Sequence, residues 1–352
     1  MSPPRLAAPK AALLHDGTVI PAHPLALTSE RRLDERRQRA LTRYYAAAGA
    51  GGVAVGVHTT QFEIRDVGLL EPVLRLAAET ADAHTDSRPF LKVAGVCGQR
   101  GQALAEAELA ASLGFDLGLL SFRGLEALSE DELIQHAAAV GEVMPIFGFY
   151  LQTAVGGRRL SYEFWRDFVE LPAVTAIKIA PFDRYATLEV VRAVASSSRA
   201  DEIALYTGND DTILLDLLTP FRVTVDGREV SRWIVGGLLG QWAVWTKRAV
   251  DLLAEVKRVR ASGTVPVELL TTAAHLTEAN AAVFDAANAF HGVIAGVHEV
   301  LRRQGLLEGI WCLDPDEGLS RGQSEALDRV YRDHADLTDD DFVTANLDRW
   351  LD

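Results

Sequence analysis

The sequence predicts an α/β fold: a TIM (β/α)8 barrel followed by a C-terminal helical extension. Three observations point there. Eight short apolar runs, each followed by a longer stretch of helical periodicity, occur before about residue 240. The chain has 352 residues, room for a barrel of roughly 250 and an appendage. No Gly-x-Gly-x-x-Gly turn follows the first run, as an open nucleotide-binding sheet usually has.

The predicted strands are 18–22, 52–58, 90–95, 117–122, 145–151, 174–180, 202–206 and 232–237. Between them, 103–113 is rich in Ala, Leu and Glu, and Ser129 reads as an N-cap ahead of Glu130, Asp131 and Glu132. Helical periodicity continues at 188–194 and 242–259. Strand signals stop beyond Gly263, leaving helices at 267–275, 280–305 and 324–334. The barrel domain is therefore expected at 1–260 and the extension at 261–352, its last stretch a short helix capped by a solvated run, Asp339-Asp340-Asp341.

Composition narrows the function. Hydrophobic residues at 48% and charged residues at 24% suit a packed globular protein. A formal net charge of -14 disfavours nucleic acid and anionic membranes, both of which need a basic footprint. Cys97 and Cys312, the two cysteines, are too few for a disulfide framework and wrongly spaced for structural zinc, which suggests a cytoplasmic protein. The stretch 1–10, with Pro3, Pro4 and Pro9, has no apolar core of a signal peptide, and no run approaches 18 apolar residues.

A TIM barrel presents its chemistry at the C-terminal ends of its strands. Lys178 lies near such an end, in Val174-Thr175-Ala176-Ile177-Lys178-Ile179-Ala180. Alternation puts Ile177 and Ile179 under the outer helices and Lys178 inside, between the small Ala176 and Ala180. Desolvation there favours the neutral amine that a nucleophilic lysine needs. Lysine is also scarce: Lys10, Lys92, Lys178, Lys247 and Lys257 stand among 35 Lys and Arg. Lys92 is the contrast, since it opens its strand at the opposite face of the barrel.

Other candidates gather at the same mouth. In 145–151 the alternation groups Ile146, Gly148 and Tyr150, and a phenol next to Lys178 would pass protons in both directions. The second strand ends in His58-Thr59-Thr60, whose hydroxyls and backbone N–H groups suit a carboxylate. Arg158 or Arg159 would present a guanidinium to a second anionic group, with Arg158 the candidate carried forward. Gly208 and Gly236 allow close backbone approach after the seventh strand and at the end of the eighth. A metal site using His23, His58 and acids is the rival, but no paired-histidine motif supports it, so neither metal nor other cofactor is expected.

The order Thr59-Thr60, Tyr150, Ala176-Ile177-Lys178 and Gly208-Asn209-Asp210 resembles the dihydrodipicolinate synthase and N-acetylneuraminate lyase family, over roughly residues 17–305 from Gly17-Thr18-Val19-Ile20-Pro21-Ala22 onward. The resemblance implies an imine between Lys178 and pyruvate or a related 2-oxo acid, a proton relay through Tyr150, and a carboxylate held by Thr59 and Thr60. It also implies a homo-oligomer, a dimer or tetramer. Three stretches depart from the family. Its Gly-Thr-Thr-Gly-Glu turn becomes His58-Thr59-Thr60-Gln61-Phe62-Glu63, its Pro-Tyr-Tyr element becomes Leu120-Ser121-Phe122, and its Tyr-Asn-Val-Pro-Gly-Arg becomes 150–158 of this chain. The expected function is a Schiff-base lyase or aldolase acting on a 2-oxo acid, with specificity in the loops 121–125 and 154–161. The alternatives are a Schiff-base dehydratase of a sugar-derived 2-oxo acid, or a non-catalytic relative that binds a small acid.

Overall fold

Ten strands form in chain order: β1 (Val19–Pro21), β2 (Gly52–Val55), β3 (Leu91–Val96), β4 (Leu117–Leu120), β5 (Ile146–Leu151), β6 (Val174–Ala180), β7 (Ala204–Thr207), β8 (Phe221–Val225), β9 (Arg228–Arg232) and β10 (Ile234–Leu239). They belong to a computed structural model describing residues 4–85 and 88–352, so 1–3 of the proline-rich N-terminal stretch lie outside the described residues. Eight of them pair in parallel in the order β1-β10-β7-β6-β5-β4-β3-β2. The ring is completed by a bridge between Ala22 and Ala54 and by the His23 N–H donating to the Ala54 carbonyl at 2.8 Å. This is the expected TIM barrel, each predicted run supplying one strand. The parallel strands are apolar on both faces because helices cover the outside and side chains fill the inside.

Two apolar layers follow from this. The interior holds Ile20, Leu91, Val93, Leu117, Leu119, Phe147, Phe149, Ala176, Tyr206 and Leu238. The outer layer, beneath the helices, holds Val53, Val96, Ile146, Tyr150, Ile177 and Ile179. The helix Ala8–Asp16, absent from the sequence reading, plugs the N-terminal end of the barrel: Leu14 is fully buried in the interior layer and its carbonyl accepts from the Tyr206 hydroxyl at 2.8 Å.

One irregularity changes the site. β5 and β6 pair as Ile146 with Val174 but Phe147 with Ala176, so Thr175 is an extra residue, a β-bulge. Beyond it Phe149 pairs with Lys178 and Tyr150 with Ile179. A one-residue slip moves every later side chain relative to its neighbour's face. The expected placement of Tyr150 beside Lys178 is thereby corrected: Lys178 points in and Tyr150 points out.

The antiparallel hairpin β8–β9 was also missed, although its turn, Asp226-Gly227 with φ 48 and 78, is a two-residue type signalled by Asp-Gly. After the barrel come helices Thr246–Ser262, Val267–Val283, Val293–Arg303, Gln323–Asp333 and Asp340–Leu351. They share one apolar core with the barrel's outer layer, from Leu269 to Trp350. The single helix expected over 280–305 is interrupted at 284–292, where Asp285, Ala289 and Phe290 have positive φ. Asp339 is no solvated cap: it is buried, accepting from the Tyr44 hydroxyl at 2.7 Å and the Gln304 amide at 2.8 Å. Among the described residues no helix is long and apolar enough to cross a membrane.

Candidate active site

At the C-terminal ends of the strands lies a narrow pocket, open to solvent, into which Lys178 projects. β6 places it there by alternation, with Ala180 beside it on the pocket wall. Gly208 makes room: a Cβ at that position would stand 2.6 Å from Lys178 Cε, inside the lysine stem. The Phe149 ring lies with its centroid 4.3 Å from Nζ. Among the described residues the amine has no hydrogen bond and no carboxylate oxygen within 4.0 Å, and the residue is 8% exposed. Lys92, equally buried, differs in facing outward and in pairing with Asp82 at 2.6 Å.

Burial lowers the Lys178 pKa from its usual 10.5 to about 8, opposed by the negative charge of Asp210. Asp210, which the sequence reading noted in its motif but did not select, lines the same pocket. Its Oδ1 accepts from the Gln241 N–H at 3.0 Å, and its other carboxylate oxygen has no partner among the described residues. Burial pushes its carboxyl up to about 7, against the opposing pull of the Gln241 N–H and Lys178. A carboxyl and an amine, each shifted toward neutrality in one pocket, form a pair between which a proton moves at little cost. The signal in the sequence was Gly208-Asn209-Asp210 itself, of which only the glycine is a predicted site residue. Asn209 has the structural role, bonding Asp216 at 3.0 Å, Thr187 at 3.1 Å and the Phe182 N–H at 3.0 Å.

The remaining candidates divide. His58 and Thr59 line the pocket, as do Lys178 and Gly208. His58 is neutral at pH 7, its pKa lowered to about 4 by burial and then by the charges of Lys178 and Arg123. The Thr59 hydroxyl is already committed, donating to the Ala22 carbonyl at 2.8 Å. Thr60 is outside the pocket lining: its hydroxyl accepts from the Gly56 N–H at 3.0 Å and donates to the His23 carbonyl at 2.7 Å, bracing the turn His58–Thr60.

Tyr150 packs against Trp165 at 5.1 Å between centroids, and its hydroxyl lies 3.4 Å from the Leu160 carbonyl and from its N–H. Arg158 is spent on the carbonyls of Leu125 and Leu128, at 3.1 and 2.8 Å. Gly236 sits mid-strand, where a Cβ would strike the Thr18 backbone and the Tyr206 ring, and Gly240 is the glycine that borders the pocket. His23 is fully buried and bonded to Thr42 and the Pro24 carbonyl, both at 2.8 Å.

Fold and site together define a TIM barrel in which a carboxyl and a lysine with no ion-pair partner among the described residues line one pocket at the C-terminal ends of the strands. No protein-family model matches the sequence. Over 203 residues the chain is 27% identical to N-acetylneuraminate lyase of Citrobacter koseri, covering 57% of this chain and 65% of that relative's length. Dihydrodipicolinate synthase from Oceanobacillus iheyensis superposes with a TM-score of 0.74 at 13% identity, over 93% of this chain and 99% of the other. The N-acetylneuraminate lyase of Fusobacterium nucleatum complexed with pyruvate superposes with a TM-score of 0.69 at 15% identity, over 91% and 97%. A prophage protein of the dihydrodipicolinic acid synthase family from E. coli K12, in complex with pyruvate, does so at 0.72 and 16%, over 90% and 98%. The likeness to these solved structures shows the fold, a TIM barrel with C-terminal helices.

Proposed function

We propose that the protein is a Schiff-base lyase or aldolase in which Lys178 forms an imine with a 2-oxo acid. The observation that carries this reading is the unpaired Lys178 amine at the catalytic end of the barrel, its pKa drawn down to about 8 by burial. The neutral amine adds to the ketone carbon, the carbinolamine loses water, and the iminium accepts the electron pair released when a proton leaves C3 or a C3–C4 bond breaks. Asp210 takes up and returns the proton, the role expected of Tyr150, whose side chain lies in the layer beneath the outer helices. With the Thr59 and Thr60 hydroxyls committed to backbone carbonyls, a substrate carboxylate would rely on main-chain N–H groups of that turn. The expected cytoplasmic location and homo-oligomeric state belong to the same proposal.

Borohydride reduction in the presence of pyruvate and other 2-oxo acids tests it. The expected result is a stable adduct on Lys178, lost in Lys178→Ala. If no 2-oxo acid labels Lys178, the imine is wrong. A second reading, a non-catalytic small-acid binder, is favoured by one observation: Phe149, which cannot ionise, occupies the register position beside Lys178. Unchanged biological activity in Lys178→Ala would select it.

A further inference from the structure

Beyond Lys178 the pocket becomes aromatic. Phe182, from the loop after β6, and Phe290, from the segment interrupting the C-terminal helices, meet edge to face with centroids 5.7 Å apart, and both line the lysine pocket. Phe284 joins them on that wall. Phe182 and Phe290 have φ of 52 and 67, a conformation that bulky residues rarely adopt and that persists only where the surroundings impose it. The surroundings do so here. The Phe182 N–H is tied to the Asn209 side chain at 3.0 Å, and the Phe290 N–H to the Asp285 carbonyl at 3.1 Å. The Asp285 carboxylate in turn accepts from the Gly292 N–H at 3.0 Å and the Ser320 hydroxyl at 2.5 Å.

A second, wider chamber continues outward. The two share His58, Val155, Phe290 and Val293, so anything attached to the reacting carbon leaves through a collar of three apolar side chains and one imidazole. The outer chamber carries Glu63, Asp314, Asp316 and Glu317 against Arg123 alone. Its field is negative, and an anionic tail would be repelled there.

We propose that the carbonyl partner handled at Lys178 is an uncharged aromatic or branched aliphatic aldehyde, seated against the Phe182–Phe290 pair, rather than a polyhydroxylated or anionic one. This rests on the imine reading of Lys178. In the condensing direction the enamine carbon C3 attacks the aldehyde carbon, the carbonyl π pair moves to oxygen, and that oxygen takes a proton. Water then releases a 4-hydroxy-2-oxo acid and the free lysine. At the collar a polyol would have only the His58 imidazole to bond, its other hydroxyls lying against Val155, Phe290 and Val293, a cost an apolar substituent does not incur.

The test is kcat/KM for condensation of pyruvate with benzaldehyde, 3-methylbutanal, glyceraldehyde, N-acetylmannosamine and succinic semialdehyde. Benzaldehyde and 3-methylbutanal should exceed the other three by at least about 10-fold, the scale on which an apolar pocket discriminates. Phe290→Ala and Phe182→Ala should each shrink that ratio, with borohydride trapping by pyruvate on each variant as the control for a folded barrel. Equal rates, or preference for a hydroxylated or anionic aldehyde by an enzyme that still traps pyruvate, overturns the aldehyde class and leaves the imine standing. Absence of trapping with every 2-oxo acid removes the imine itself.

Discussion

Lys178 and Asp210 are each costly alone. A buried ammonium and a buried carboxyl both lose hydration, and the protein places them around one pocket without closing an ion pair within 4.0 Å. The residual charge of Asp210 raises the Lys178 pKa, while burial lowers it more. Replacing the carboxyl by an amide therefore has two separable effects. Asp210→Asn should lower kcat by about 10²-fold through loss of the proton carrier, and shift the rising limb of the pH–rate profile below its midpoint near 8. Tyr150→Phe, which removes only a hydroxyl 3.4 Å from the Leu160 carbonyl, should leave kcat within about 2-fold. The opposite ranking of the two variants in steady-state kinetics would return the proton relay to Tyr150.

At the scale of elements, the bulge at Thr175 decides which aromatic accompanies the lysine. Every residue of β5 is buried, so its sequence gives no hydrophobic-in, polar-out parity to read. The outward face is selected by its neighbours instead: a Cβ on Gly148 would lie 2.6 Å from Phe168, and Tyr150 packs on Trp165 of the same helix, Tyr162–Phe168. By contrast, the helix Glu130–Gly141 was legible from its start, because a cap is a local device. Ser129 Oγ accepts from the Glu132 N–H at 3.3 Å and the Glu132 carboxylate accepts from the Ser129 N–H at 2.7 Å, closing a capping box. Ser129→Ala should cost about 1 kcal/mol in urea unfolding with an unchanged m-value. A loss under about 0.2 kcal/mol would show that the box contributes nothing to this helix.

Across the whole molecule, barrel and C-terminal helices share a continuous core, with Trp350 5.4 Å from Tyr44 and the Asp339 carboxylate bonded to the Tyr44 hydroxyl. The core also holds two fully buried histidines, His23 and His298, both lowered to about 4 by burial. The unfolded chain protonates these near 6.5 and the folded chain does not, so their contribution to stability is complete above that pH and falls as pH drops toward 4, while the Asp210 and Glu317 carboxyls, raised to about 7 by burial, act in the opposite sense. The slope is at most about 1.4 kcal/mol per pH unit for each residue. The change in urea-unfolding free energy from pH 7 to pH 5 should be less destabilising in His298→Asn than in the unsubstituted protein. An identical change in both would mean that this ring is protonated as readily inside the fold as outside it.

The sequence alone determined the barrel, the inward turn of Lys178 and the location of the candidate site, because strand length, alternation and strand-end position are local properties carried by a few adjacent residues. It also carried the resemblance, through Thr59-Thr60, Ala176-Ile177-Lys178 and Gly208-Asn209-Asp210. Only the tertiary structure decided that Phe149 and Asp210, not Tyr150, face the lysine, that Thr60 and Arg158 are spent on backbone carbonyls, and that Phe182 and Phe290 meet over the pocket. The reason is physical. A bulge breaks the alternation of β6 at one residue, leaving Val174 in the outer layer and Ala176 in the inner one, and nothing in either strand's own sequence marks it; an aromatic wall built from residues 182 and 290 exists only once the chain between them has closed.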